Sequence, residues 1–324
     1  MPSNRSVSPD AALRIHASRW RMTWRTCAFA LIGVASVCDA GSWDVISWAG
    51  NTPDWNQKLG VSELRQGCSS APPGCMQAVD KSAVAGGVAQ ITLAITPDPD
   101  KIAAYALEYS AASLNEHRLR GIGLDDALSV FLQWQKQGHD PGTLLAEVIT
   151  NTKAKNSGLE FGITLYEDQL ANPVLRGLPA NVRAAVDRVH FYIHYRKDGP
   201  RFGDYVQQVK QLFPKAAVVA GVYPYDRVDY LPCSITAKAP CTLAEEKQLY
   251  QETLRLQVSM MVRGDVAAIE FYPGSFGTED SWVGWQRSNI CQASRVQGCT
   301  NTTKEMHATT QQVLDSIRSE RHTP

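Results

Sequence analysis

The chain has 324 residues, with 32 Lys plus Arg balanced by 32 Asp plus Glu for a formal charge of zero. Setting residues 1–40 aside removes five Arg and two Asp and leaves the remainder at −3, with no basic run of the kind that neutralises phosphates. A nucleic-acid partner and an anionic membrane surface are thereby disfavoured, and the length suits one large core.

The first 40 residues read as a secretion signal. Met22 starts a segment with Arg25 as its positive region and the apolar run Cys27 to Val37, and Cys38-Asp-Ala40 supplies small residues for cleavage after Ala40. The run is too short for a stable membrane span, so the mature protein is expected as a single domain over residues 41–324, secreted or periplasmic. Six cysteines follow the signal, in three close pairs: Cys68 with Cys75, Cys233 with Cys241, and Cys291 with Cys299. Behind a signal peptide such pairs predict three local disulfides, and none has the Cys-x2-Cys or His-rich company of a metal site.

Next come strand-like apolar runs at 45–49, 90–95, 120–124, 161–166, 189–194, 217–223 and 266–272. Helical patterns separate most of them, at 100–114, 126–137, 179–186, 202–213 and 243–263. The last is bounded by Thr242-Leu-Ala-Glu245, a capping box, and by Gly264, suited to a left-handed C-terminal position. Repeated β-α units predict an α/β fold, a (β/α)8 TIM-like barrel with seven strands visible and the eighth irregular, around Ser281 to Trp285, or missing. There is no glycine-rich nucleotide or phosphate motif, and no cofactor is expected.

Alternation within the strands assigns faces. Val189, Phe191, Ile193 and Tyr195 are expected to face helices, leaving His190, Tyr192, His194 and Arg196 inward. Ile91, Leu93 and Ile95 oppose Gln90, Thr92, Ala94 and Thr96 in the same way, and Ile269 and Phe271 oppose Ala268, Glu270 and Tyr272. Carboxylates gather at strand exits: Asp125 and Asp126, Glu167 and Asp168, Asp226, and Glu270 inside its strand. Asp126 and Asp168 also fit helix caps, whereas a strand carboxylate must be partnered or used. The carboxyl ends of parallel barrel strands converge on one mouth, so these groups can meet there. Tyr166, Tyr192, Tyr223, Tyr272, Trp48 and Trp282 lie on or near the same exits, a surface suited to the C–H faces of sugars.

With Gly121-Ile-Gly-Leu-Asp-Asp126, Gly162-Ile-Thr-Leu-Tyr-Glu-Asp168 and Ile269-Glu-Phe-Tyr-Pro-Gly274, the chain resembles secreted TIM-barrel glycoside hydrolases over most of residues 43–287. The resemblance is one of architecture and residue type, since a chitinase Asp-x-x-Asp-x-Asp-x-Glu run is absent. It implies two carboxylates across the mouth, one protonated toward the leaving oxygen and one ionised. Glu167 and Glu270 are the first pair, and Asp125 competes for either role. Asp126, Asp168, Asp226, His194, Arg196, Tyr166, Tyr192, Tyr223, Tyr272, Trp48 and Trp282 are expected to bind a carbohydrate substrate. Two other readings stay open. One is a non-catalytic sugar-binding barrel. The other is a metal-dependent hydrolase or deacetylase built on His190, His194, Asp125, Asp126 and Asp226, although His190 and His194 are too far apart along an extended strand to ligate one ion.

Overall fold

A computed structural model describes residues 44–48, 53–77, 81, 87–194, 196–223, 243–272 and 302–321. All of them belong to one compact unit, Ser42–Pro324. The proposed signal, Tyr195, Asp226, Trp282, the segment 281–285, Thr242, and the Cys233/Cys241 and Cys291/Cys299 pairs lie outside the described residues, as does the Arg196 side chain.

Eight parallel strands close into a barrel in sequence order: β1 (Val45–Trp48), β2 (Val61–Cys68), β3 (Gln90–Ile95), β4 (Leu119–Leu124), β5 (Glu160–Tyr166), β6 (Arg188–Tyr192), β7 (Ala217–Val222) and β8 (Ala268–Phe271). Pairing of β1 with β8, Ile46 opposite Glu270, completes the ring. The α/β barrel read from the sequence is therefore the fold.

The eighth strand of the barrel, not visible as an apolar run, is β2. Val-Ser-Glu-Leu-Arg-Gln-Gly-Cys escapes a search for apolar runs because its inward positions carry Glu63 and Arg65, both buried. Those charges are affordable only because each meets partners inside the barrel.

The helices among the described residues include α1 (Pro53–Leu59), α2 (Ile102–Ala112), α3 (Ala127–Lys136), α4 (Pro141–Lys153), α5 (Pro173–Gly177), α6 (Ala180–Arg183), α7 (Phe202–Leu212), α8 (Leu243–Arg263) and α9 (Thr302–Arg321). Helices α1, α4, α5 and α9 have no counterpart among the expected elements. Helix α4 nevertheless opens on a legible signal: Asp140 accepts from the Thr143 N–H at 2.7 Å, and Pro141 takes the first helical position, where its missing N–H costs nothing. Helix α8 has the expected bounds, and Gly264 takes φ +78°, as a left-handed stop requires.

The main core lies between strands and helices. Val189, Phe191 and Ile193 belong to it, and Phe191 packs on Phe202 and Tyr205 of α7 with ring centroids 5.7 and 6.2 Å apart. Burying such a side chain stabilises by roughly 1.5–3 kcal/mol. Inside the barrel the apolar content shrinks to a small cluster of Ile46, Val219 and Ala268. The rest of the interior is largely polar, which is unusual for a barrel filled by branched aliphatic layers. Toward the strand starts, Glu63 accepts from Arg188 at 2.9 Å, Arg120 at 3.2 Å and Thr92 at 2.5 Å, and both arginines also pair with Glu160. This lattice closes one end of the barrel and leaves the strand exits for the site.

Candidate active site

Glu270 occupies the middle of β8 and is fully buried. Its Oε1 accepts from Arg65 Nη1 at 3.0 Å and from the Tyr192 hydroxyl at 2.6 Å. Nδ1 of His190 lies 2.9 Å from Oε2 as an ion-pair contact rather than an aligned hydrogen bond. Burial alone would raise the carboxyl, but His190, Arg65 and the Tyr192 hydroxyl more than offset it and hold the group at about 2. Burial, with the Glu270 charge beside it, pushes the Tyr192 phenol well up, so it stays a donor. Gly221 makes this geometry possible, because a Cβ there would collide with the Tyr192 ring.

Arg65 connects this buried centre to the mouth. Burial works to lower its guanidinium, and Glu270 and Asp125 outweigh that and raise it. Nη2 donates to Thr164 Oγ1 at 2.6 Å and lies 3.5 Å from Asp125 Oδ1, while the indole of Trp48 covers the guanidinium at 4.4 Å. Asp125 directly follows β4, and its side chain is 42% exposed, so it can meet a ligand.

Asp126 is the next residue and has φ 45°, the only left-handed non-glycine among the described residues. It precedes α3 but makes no side-chain cap bond. The expected capping role is replaced by another: Oδ1 accepts from the Tyr166 hydroxyl at 2.6 Å, and Tyr223 donates to Tyr166 at 3.3 Å. Burial first, then Tyr223 and Asp126, pushes the Tyr166 phenol far above its ordinary value and keeps it protonated. Strain of this kind persists where the surroundings overdetermine it.

The aromatic residues form a continuous wall. Tyr192 meets Tyr166 and Tyr223 at 6.2 and 4.9 Å, Tyr223 meets Tyr272 edge-on at 5.9 Å, and Tyr272 meets Trp48 at 5.9 Å. His194 stacks on Tyr166 at 4.3 Å and 13°.

Glu167 stands apart from Glu270. It begins a short turn after β5, and both of its oxygens accept from the His194 backbone N–H at 3.1 Å. Its side chain is only 7% exposed, whereas that of Asp168 is 68% exposed and lies 3.7 Å from His194 Nδ1. Glu167, Asp168 and His194 are close enough together to hold a metal ion. His190 serves Glu270 instead, so the two histidines attend different carboxylates. Strand β6 ends at Tyr192, and Arg196 starts a 3-10 turn, so strand parity does not reach it.

Arg65 and Thr164 are the site residues that the sequence reading passed over. The Glu63-x-Arg65 alternation was their available signal: two inward charges on one strand demand partners on others.

No protein-family model matches the chain, and no curated protein matches it. Solved structures with a similar fold are faint likenesses. Active domain 2 of a thermostable chitinase from Pyrococcus furiosus is 9% identical with TM-score 0.48, over 86% of this chain and 96% of that one. A psychrophilic glycoside hydrolase family 10 endo-β-1,4-xylanase is 9% identical with TM-score 0.48, over 83% and 96%. A family 10 endoxylanase retrieved from a sugarcane soil metagenome is 9% identical with TM-score 0.44, over 71% and 85%. Similarity at this level carries no argument about activity. Among the described residues, no helix is long and apolar enough to cross a membrane.

Proposed function

We propose that the protein is an exported glycoside hydrolase that cleaves a poly- or oligosaccharide at the barrel mouth, with Glu270 as the ionised carboxylate and Asp125 as its partner. The observation that carries this reading is the shared guanidinium: Arg65 donates to Glu270 and reaches Asp125 with its other terminal nitrogen. The two carboxyls have the contrasting surroundings that acid-base chemistry on a glycosidic bond needs. Glu270 is buried and held ionised, with Oε1 taken by Arg65 and Tyr192 and Oε2 facing His190 Nδ1 at 2.9 Å. Asp125 is partly exposed at the mouth, where it can meet the substrate. Tyr223 and Tyr272, the partly exposed members of the aromatic wall, would receive the sugar faces, with Asp126 and Asp168 bonding hydroxyls. Export rests on the signal-like residues 22–40 and on the disulfide between Cys68 and Cys75.

Asp125 displaces Glu167 as the favoured partner because the Arg65 guanidinium joins Asp125 to Glu270, whereas Glu167 lies against the His194 backbone N–H. A metal-dependent reaction would draw on Glu167, Asp168 and His194.

The test is a screen of the mature protein against bacterial and plant polysaccharides with detection of new reducing ends, repeated on Asp125→Asn. Product with the wild type and a loss of turnover in the variant support the proposal. Binding without product on every glycan would move the protein to the sugar-binding class.

A further inference from the structure

The His190 imidazole has no part in the reaction outlined above, yet it is buried against the one Glu270 oxygen that Arg65 and Tyr192 leave uncovered. Its ring projects inward from β6, and Nδ1 faces Oε2 of Glu270 on β8 at 2.9 Å. On the other side, Nε2 faces Gly162 of β5, where a Cβ would approach to 3.3 Å. Neither ring nitrogen makes an aligned hydrogen bond among the described residues. A neutral imidazole has one N–H and one lone pair, and only the N–H can serve a carboxylate. Directed at Glu270, it leaves the lone pair over the glycine gap.

We propose that His190 is a positioning residue: with Nδ1 2.9 Å from Oε2 of Glu270, a small turn of the ring brings its Nδ1–H onto that oxygen and fixes the carboxylate in the hydrolytic site. The proposal rests on Glu270 being the ionised carboxylate of that site. The charged and titratable neighbours are Glu270 on β8, Arg65 on β2, and Arg188 and Tyr192 on β6 itself. Burial, reinforced by Arg65 and Arg188 and opposed by Glu270, lowers the imidazole below its ordinary value. The role of Gly162 is steric: a Cβ there would press on His190 Nε2 at 3.3 Å.

The experiment follows the protonation of Glu270 by infrared difference spectroscopy on protein labelled with carbon-13 at Glu, with the band assigned by its loss in Glu270→Gln. The wild type is compared with His190→Leu, which removes the donor, and His190→Asn, whose amide N–H replaces Nδ1–H. A hydrogen bond to a charged group is worth roughly 1.5–3 kcal/mol, so the Glu270 midpoint should rise by roughly one to two pH units in His190→Leu. It should return part of the way in His190→Asn. The acid limb of kcat/KM should move in parallel. Should His190→Leu fail to fold, Gly162→Ala presses on Nε2 and should shift the midpoint in the same direction by less. An unchanged midpoint in His190→Leu, or in Gly162→Ala where that variant stands in, overturns the proposal. Absence of glycosidase activity in the wild type sinks the hydrolase reading alone, because the spectroscopic result does not depend on turnover.

Discussion

Arg65 and Glu270 meet at 3.0 Å from the two strands that flank β1, though 205 residues separate them in the chain. Both are buried, so neither charge can be removed without stranding the other. Arg65→Met should destabilise the fold by about 3–5 kcal/mol in urea unfolding, and adding Glu270→Gln to it should recover much of that loss. A penalty under about 1 kcal/mol for the single variant would mean the pair is not a buried ion pair in solution.

The same carboxylate gives the fold an acid limit. Glu270 titrates at about 2 when folded against an ordinary 4.5, so its contribution is complete above about 4.5 and is lost as pH falls toward 2. The unfolded state binds the proton first, so stability must decline with falling pH in that window, by up to about 3 kcal/mol from this group. Chemical denaturation at stepped pH should show a shallower decline in Glu270→Gln. Equal slopes for the two proteins would contradict the assignment.

Asp126 exchanges stability for position. Glycine accepts φ 45° freely, so Asp126→Gly should leave stability unchanged or raise it by up to about 1 kcal/mol while turnover falls. Tyr166→Phe, which removes the donor to Asp126, should lower turnover in the same direction. If Asp126→Gly lowered stability and left turnover intact, Asp126 would be structural.

Disulfide mapping under non-reducing conditions should find Cys68 joined to Cys75. Residues 68 and 75 close a short loop, so Cys75→Ser should destabilise by about 2.5 kcal/mol at most, by the chain-entropy account. A free thiol at Cys68 in the oxidised, secreted protein would contradict the bridge.

How much of this could be read in advance follows from the physics of each element. The strands β3, β6 and β8 were legible because their outward residues, such as Ile91, Phe191 and Ile269, are apolar against helices, and the period of two then sends Thr92, His190 and Glu270 inward. Strand β2 was illegible to the same rule, since Glu63 and Arg65 stand where apolar side chains normally fill a barrel. Its charges make sense only beside Arg188 on β6 and Glu270 on β8, and such long-range pairing leaves no local pattern. Glu167 is a different case. Its place after a strand suggested chemistry, whereas its carboxylate is engaged by a backbone N–H that no side-chain pattern reports. Asp126 suggested a helix cap, and only its dihedral angle and the Tyr166 hydroxyl reveal otherwise.

The most direct test of the central claim is the turnover of Glu270→Gln on whichever glycan the wild type cleaves. The amide keeps the shape and an acceptor for Arg65 and Tyr192 but cannot act as nucleophile or base. Turnover should therefore fall by at least about 100-fold with the circular dichroism of the fold retained. Near-normal turnover in a folded Glu270→Gln protein would contradict the account and leave Glu270 as no more than the anchor of Arg65.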